Sequence, residues 1–253
     1  MIYFIFGGSA SGKSEYAENL AVSCAAARLS GAGEAAVYEE ASGEIQDCRK
    51  GSDSVAAGKD ERIGGGSKKR TPPSGGGPLL YVATMRRDSG EAAARIRKHR
   101  EQRRGKGFRL YEAESLSALK GAPCAHTILF DCLSDFAANV MFSEENLRRF
   151  TESESLSESG RNSLLETYRI SLSEEIGTGV RELEEKCENL VIVSDFVFSD
   201  GAVYDSLTEL YICLLGDLWR KIAERADEVT EIVFGLPVKL KQRGRSSMRS
   251  AGN

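Results

Sequence analysis

The sequence lacks the patterns typical of zinc-binding, secreted and membrane proteins. Its six cysteines form no C-x-x-C pair and no zinc-ligand spacing, and several of them lie in apolar runs, which indicates buried thiols in a reducing compartment. No apolar run approaches the roughly 20 residues of a membrane-spanning helix. The N-terminus has no basic stretch before an apolar one, so it does not resemble a signal peptide. We therefore expect a cytoplasmic protein without a membrane span.

An excess of basic charge is also absent from the chain as a whole. The net charge is −4, which argues against a general nucleic-acid-binding protein. The exception is residues 86–109, where ten basic and three acidic residues leave a net charge of +7. Such a segment can attract a nucleoside triphosphate or a nucleic-acid backbone. Phe108 is its single aromatic residue, fewer than a surface that stacks on bases typically uses.

Histidine is scarce as well, and one of the two histidines lies inside this basic segment. The cations around His99 disfavour its protonation, so its imidazole would stay neutral and nucleophilic near pH 7. From the residues alone, His99 could instead be a solvated surface histidine. His126 precedes an apolar run and is interpreted as a structural histidine.

Five continuous apolar runs predict strands that are covered on both faces. They span residues 2–6, 79–84, 127–132, 190–195 and 229–234. Helix-forming stretches separate them, at 14–29, 88–104, 134–150, 162–187 and 204–226. This alternation predicts an α/β fold, a mostly parallel sheet with helices on both faces.

Three segments interrupt the pattern. Residues 30–78 are rich in glycine and poor in apolar side chains, which predicts a flexible insertion and not a domain. The acidic, serine-rich residues 151–163 could form a solvated loop or the start of a helix. We expect a disordered tail over residues 242–253. The prediction is thus a single nucleotide-binding domain over residues 1–241 that contains the insertion.

A glycine-rich loop directly follows the first predicted strand and precedes the first predicted helix. The segment FGGSASGKSEY, residues 6–16, has the spacing Gly7-x-x-x-x-Gly12-Lys13-Ser14 of a phosphate-binding loop. Its backbone N–H groups can approach phosphate oxygens, Lys13 can contact the outer phosphates, and the Ser14 hydroxyl can hold Mg²⁺. The alternative is a turn that only joins strand to helix. The residues predicted to bind nucleotide here are Gly7, Gly8, Ser9, Ala10, Ser11, Gly12, Lys13 and Ser14.

A magnesium site beside such a loop needs a carboxylate at the end of a neighbouring strand. Asp131 ends the run TILFD and is the first choice as metal ligand, together with Ser14. Asp195 ends the run LVIVSD and is a second candidate. Either carboxylate could instead cap the helix that follows it.

Several further segments, in order, resemble the bifunctional adenosylcobinamide kinase / adenosylcobinamide-phosphate guanylyltransferase family of cobalamin biosynthesis. They are GGSASGKSEYAE, YVATM, ARIRKHREQR, FRLYEAE, ILFDCLSDFAANVMF, IVSDFVFSDG and ADEVTEIVFGLPVKLK. The resemblance covers the chain except residues 30–78 and the last dozen. Its specific element is the Arg-Ile-x-x-His sequence that ends at His99.

The resemblance implies a P-loop NTPase fold of the RecA-like group and a homotrimer. It implies two reactions: phosphorylation of the aminopropanol hydroxyl of adenosylcobinamide by ATP or GTP, then transfer of GMP from GTP to the product through a guanylylated histidine. By motif position that histidine is His99, with Lys13 as the other catalytic residue and Glu112 in the nucleotide site. Arg95 and Arg103 share a helical face with His99 and are predicted phosphate clamps. Mg²⁺ is the implied cofactor.

Two regions depart from the family pattern. The stretch SDFVFSDGAVYD stands where the family has Asn-Glu-Val-Gly and a glycine turn, and Trp219-Arg220 replaces a common Asn-Gln. These departures leave a kinase without transferase activity as an alternative. The +7 segment leaves a nucleic-acid-stimulated ATPase as another, although no nucleic acid partner is expected. The sequence does not separate ATP from GTP in the kinase step.

Overall fold

The computed structural model of the chain describes residues 1–31, 78–86, 97, 101, 103–153, 157–198 and 201–243. Nearly all of the predicted insertion, and the tail from residue 244, lie outside the described residues. The described strands are β1 Ile2–Gly7, β2 Leu79–Ala83, β3 Arg109–Glu112, β4 Thr127–Asp131, β5 Asn189–Asp195, β6 Glu228–Val233 and β7 Leu236–Gln242. The described helices are α1 Lys13–Gly31, α2 Leu116–Lys120, α3 Leu133–Met141, α4 Glu144–Ser153, α5 Glu158–Glu185 and α6 Ser206–Arg225.

The seven strands form one sheet in the order β3-β2-β4-β5-β1-β6-β7. Strands β1 to β6 pair in parallel, and β7 pairs antiparallel with β6. The predicted α/β class with a mostly parallel sheet is therefore confirmed. In this order β5 lies between β1 and β4, so Gly7 pairs in register with Asp195 while Asp131 pairs with Val193.

Helices cover both faces of the sheet, which explains why the strands read as continuous apolar runs. Alternate strand residues such as Ile5, Leu129 and Val191 pack under Ala17 and Ala21 of α1. The intervening residues face α3, α5 and α6 in a second cluster that includes Phe4, Phe130, Phe136, Ile176 and Leu214. None of the described helices is both long and apolar enough to cross a membrane.

One helical prediction needs correction, one open interpretation is resolved, and most of the helix predicted over 88–104 lies outside the described residues. The single helix predicted over 134–150 is two helices, α3 and α4. Phe142 and Ser143 separate them, and the Asn146 side chain donates a hydrogen bond to the carbonyl of Val140 across the junction. Within residues 151–163 the helix-start interpretation is confirmed for residues 157–163, because Ser157 is the N-cap of α5 and its hydroxyl accepts from the N–H of Gly160; residues 151–153 instead end α4.

Strands β3 and β7 were not predicted. Strand β3 is a four-residue edge strand with mostly exposed side chains. Strand β7 alternates apolar and basic residues and is exposed along most of its length. It ends at Gln242, one residue beyond the predicted end of the domain.

Candidate nucleotide-binding site

The glycine loop joins β1 to α1 at the carboxyl edge of the sheet. Gly12 has φ +90°, a conformation that favours glycine, and α1 begins at the next residue. A Cβ on Gly7 would lie 2.6 Å from the carbonyl oxygen of Ile232 on β6 and 2.6 Å from Ser11 Oγ. The two positions therefore require glycine for different reasons: Gly12 for its backbone angle, and Gly7 for close approach to the neighbouring strand.

Lys13 folds back over the loop. Its Nζ donates a hydrogen bond to the carbonyl of Gly8 at 3.1 Å and lies 2.5 Å from Oδ1 of Asp195. The residue is only 8% exposed. A buried ammonium needs an anionic partner, and in this structure Asp195 is that partner.

Asp195 is held in place from β5 and from the start of α3. Its Oδ2 accepts a hydrogen bond from Ser134 Oγ at 3.3 Å, and its backbone N–H donates to the same hydroxyl at 3.1 Å. Of the two candidate carboxylates, Asp195 is the one that lies against Lys13 in the structure. Sequence analysis considered Asp195 only as a second candidate metal ligand and did not predict this ion pair.

Asp131 ends β4, one strand farther from the loop. Tyr81 on β2 donates its phenolic hydrogen to Oδ2 of Asp131 at 2.7 Å. Burial, and next the charge of Asp131, raise the pKa of Tyr81 well above its usual value. The phenol therefore keeps its proton and orients the carboxylate.

Oxygen donors at this edge of the sheet suit a hard cation. The side-chain ligand atoms of Cys132, Asp135 and Asp195 all lie within 4.8 Å of one another. Burial and the nearby carboxylates raise the pKa of the Cys132 thiol well above its usual value, and a protonated thiol is a poor Mg²⁺ ligand. The Ser14 hydroxyl and the Asp131 carboxylate, predicted as metal ligands, have the donor type that Mg²⁺ prefers.

The basic segment is described only in part. The predicted nucleophile His99 and the predicted clamp Arg95 lie outside the described residues. Arg103 is described, and it contacts protein groups: its Cζ lies 3.6 Å from the centre of the Tyr81 ring, and its Nη1 lies 3.7 Å from Oε1 of Glu18. Glu112, the last residue of β3, is exposed at the same edge of the sheet.

Sequence reasoning missed the turn between β6 and β7, which lies against the loop. The N–H of Gly235 donates to the carbonyl of Ser11 at 2.9 Å. Phe234 beside it is 96% exposed and has φ +50°. The Phe-Gly pair between two apolar runs was the available signal for a turn.

The two regions that depart from the family pattern contact each other. The Trp219 ring centre lies 6.0 Å from that of Phe196 and 5.0 Å from that of Phe198. Its indole N–H donates to Ser194 Oγ at 2.9 Å, next to Asp195. The two departures therefore form one aromatic cluster behind the residue that pairs with Lys13.

Comparison with known proteins supplies separate evidence. The model of the cobinamide kinase / cobinamide phosphate guanyltransferase family matches residues 69–240. The chain is also 31% identical over 163 residues to a bifunctional adenosylcobalamin biosynthesis protein, CobP, of Pseudomonas aeruginosa. That alignment covers 64% of this chain and 81% of the relative. The family match begins after the glycine loop, so the loop and the match are distinct observations.

Proposed function

Because the chain belongs to the cobinamide kinase / cobinamide phosphate guanyltransferase family, we propose that it is a bifunctional enzyme that performs both reactions. It phosphorylates the aminopropanol hydroxyl of adenosylcobinamide with ATP or GTP. It then transfers GMP from GTP to adenosylcobinamide phosphate, which gives adenosylcobinamide-GDP and pyrophosphate. One observation supports this most directly: the buried Lys13 of the glycine loop is paired with an anion that a phosphate can replace.

In the proposed kinase step, the triphosphate lies over the loop from Gly7 to Ser14. Lys13 exchanges Asp195 for phosphate oxygens, and the backbone N–H groups of the loop bind the same anion. The substrate hydroxyl oxygen attacks the γ-phosphorus, the bond to the β–γ bridging oxygen breaks, the nucleoside diphosphate leaves, and the hydroxyl proton is released to solvent. Mg²⁺, held by Ser14 and Asp131, would neutralise charge on the phosphates.

In the proposed transfer step, the neutral imidazole of His99 attacks the α-phosphorus of GTP. A P–N bond forms, the bond to the α–β bridging oxygen breaks, and pyrophosphate leaves. An oxygen of adenosylcobinamide phosphate then attacks the same phosphorus, the P–N bond breaks, and the histidine is regenerated. A covalent intermediate divides one difficult displacement into two. We propose Arg95 and Glu112 as further nucleotide contacts.

The kinase reaction and the transferase reaction, measured separately, test the proposal. Lys13→Ala should lose both phosphorylation of adenosylcobinamide and formation of the GDP-corrinoid. His99→Ala should keep the first and lose the second. If the wild-type protein phosphorylates the substrate but forms no GDP-corrinoid from authentic adenosylcobinamide phosphate, it is a kinase only. Hydrolysis that rises with added DNA or RNA would instead favour the ATPase alternative.

An exposed apolar stripe on the β6–β7 hairpin supports the proposed homotrimer. Phe234 is 96% exposed, Leu236 69% and Leu240 58%, and Val238 is also exposed. A row of exposed apolar residues on an edge strand is characteristic of an interface with another chain. Light scattering should give three times the 27.5 kDa chain mass, and Leu236→Lys should reduce the measured mass to that of a single chain.

A cytoplasmic location, a single domain over residues 1–241 and the lack of a nucleic acid partner stay predictions.

A further inference from the structure

A buried carboxylate on the helix that follows the glycine loop is not explained by phosphate binding. Glu18 lies on α1, five residues after Lys13, and is 1% exposed. Its Oε2 accepts a hydrogen bond from Lys106 Nζ at 2.7 Å, and its Oε1 lies 3.7 Å from Arg103 Nη1. Burial of a carboxylate costs free energy unless cations compensate it, and both compensating cations come from the end of the basic segment.

Arg103 is also buried, and it contacts both Glu18 and the aromatic residue Tyr81. Its side chain is 9% exposed, and its guanidinium stacks on Tyr81 of β2. Phe108 packs edge-to-face on the same ring, with the ring centres 6.0 Å apart. The end of the basic segment is thus fixed to α1 by charge and to β2 by aromatic contacts.

The contact between Glu18 and Arg103 is loose. Among the described residues, neither Glu18 Oε1 nor Arg103 Nη1 has a hydrogen-bond partner, although each atom is buried. A movement of under about 1 Å would bring the 3.7 Å pair to hydrogen-bond distance. The closer contact to Glu18 is therefore the hydrogen bond from Lys106, at 2.7 Å.

The cluster also connects two parts of the proposed active site. Tyr81, under Arg103, donates to the predicted metal ligand Asp131. Arg103 lies four residues after His99 in the sequence. Four residues of chain span at most about 14 Å, so an anchor at Arg103 restricts where the imidazole can go.

From these contacts we infer that Glu18 is a positioning residue: by pairing with Arg103 and Lys106, it fixes the end of the His99 segment to the phosphate-loop helix and sets the rate of histidine guanylylation. The inference rests on the proposed function. It also changes the predicted role of Arg103, which acts through Glu18 and Tyr81 and not as a phosphate clamp.

The test compares full-length wild-type protein with Glu18→Gln, which removes the charge and keeps the side-chain shape. Four quantities are measured on each protein: the rate of protein labelling by α-³²P-labelled GTP, the KM for GTP in that labelling, the rate of adenosylcobinamide phosphorylation, and hydrogen exchange in residues 103–108. We expect labelling to fall on the order of 100-fold, as misplacement by about 1 Å can cause. Exchange should rise at least about 10-fold, and phosphorylation and the GTP KM should change less than about 3-fold. Glu209→Gln, an exposed glutamate in the first turn of α6, is the matched control.

A second comparison separates anchoring from phosphate binding. If Arg103 acts through Glu18 and Tyr81, Arg103→Met added to Glu18→Gln should lower labelling by less than the product of the two single losses and should leave the GTP KM unchanged, because the two changes share the Glu18–Arg103 link. A further rise in the GTP KM from Arg103→Met would restore the clamp role and overturn the inference. Should Glu18→Gln not fold, Glu18→Asp, which keeps the charge but shortens its reach, is measured in the same way.

The outcomes distinguish this inference from the proposed function. Normal labelling in Glu18→Gln, or unchanged exchange in residues 103–108, overturns the positioning role and leaves the bifunctional enzyme intact. No labelling of the wild-type protein overturns the transferase proposal, and the inference with it.

Discussion

The ion pair between Lys13 and Asp195 gives the sharpest prediction about nucleotide binding. At an effective dielectric constant of about 20, two unit charges 2.5 Å apart attract by roughly 7 kcal/mol. Desolvation offsets most of this. Breaking a buried pair costs about 3–5 kcal/mol, and an exposed pair contributes under about 1 kcal/mol. Because the Asp195 side chain keeps 27% of its surface exposed, we expect Asp195→Asn to lower the free energy of unfolding by about 2 kcal/mol.

Bound nucleotide should reverse this loss. In Asp195→Asn without nucleotide, Lys13 has lost its anionic partner, and the phosphates of GTP can replace it. The melting temperature without nucleotide should fall by about 4–8 °C. With saturating GTP the variant and the wild-type protein should melt at nearly the same temperature. By linkage, the Kd for GTP should decrease by roughly 30-fold.

The assay uses the single tryptophan of the chain. Trp219 donates to Ser194, the neighbour of Asp195, so its fluorescence should report GTP binding in a titration. Asp205→Asn is the matched control, because Asp205 is the exposed N-cap of α6 and asparagine caps helices equally well. An Asp195→Asn variant with wild-type stability, or with weaker GTP binding, would refute the ion-pair reasoning.

Three further predictions concern packing and reactivity. Gly7→Ala should weaken GTP binding at least about 10-fold, because its Cβ would lie 2.6 Å from two oxygen atoms. The control Gly177→Ala, whose Cβ would have its nearest neighbour at 3.8 Å, should leave the GTP titration unchanged. In native protein at pH 8, iodoacetamide should modify exposed Cys213 but not buried Cys132, because a raised pKa leaves the Cys132 thiol protonated. Early modification of Cys132 in a peptide map would contradict this. In a urea titration, Trp219→Ala should lower the free energy of unfolding by about 3 kcal/mol, and Trp219→Phe should lower it by about 1 kcal/mol. Equal losses in the two variants would show that the aromatic cluster does not stabilise the fold.

The sequence predicted the features that depend on local pattern. The loop spacing, its flanking strand and helix, and the buried strands follow from residues that are close together in the chain. The place of Lys13 at the loop follows from the motif itself, because the motif defines that position. The helix boundary at Ser157 also agrees with a local capping signal.

The features that sequence analysis missed depend on strand order and on long-range contacts. The pairing of Lys13 with Asp195 was not predicted, because sequence order does not reveal that β5 lies between β4 and β1. Helical spacing predicted a shared face for Arg103 and His99, but it could not show that Arg103 lies against Glu18. Strand β7 was not predicted because its apolar residues alternate with basic ones, unlike the continuous apolar runs from which the other strands were predicted.

The most direct test of the central claim is the covalent guanylylation of His99. The protein is incubated with α-³²P-labelled GTP and Mg²⁺, denatured, and analysed for label that is lost in acid and retained in base. Such label is expected on the wild-type protein, on a peptide that contains His99, and none is expected on His99→Ala. Label on His99→Ala at the wild-type level would contradict this expectation.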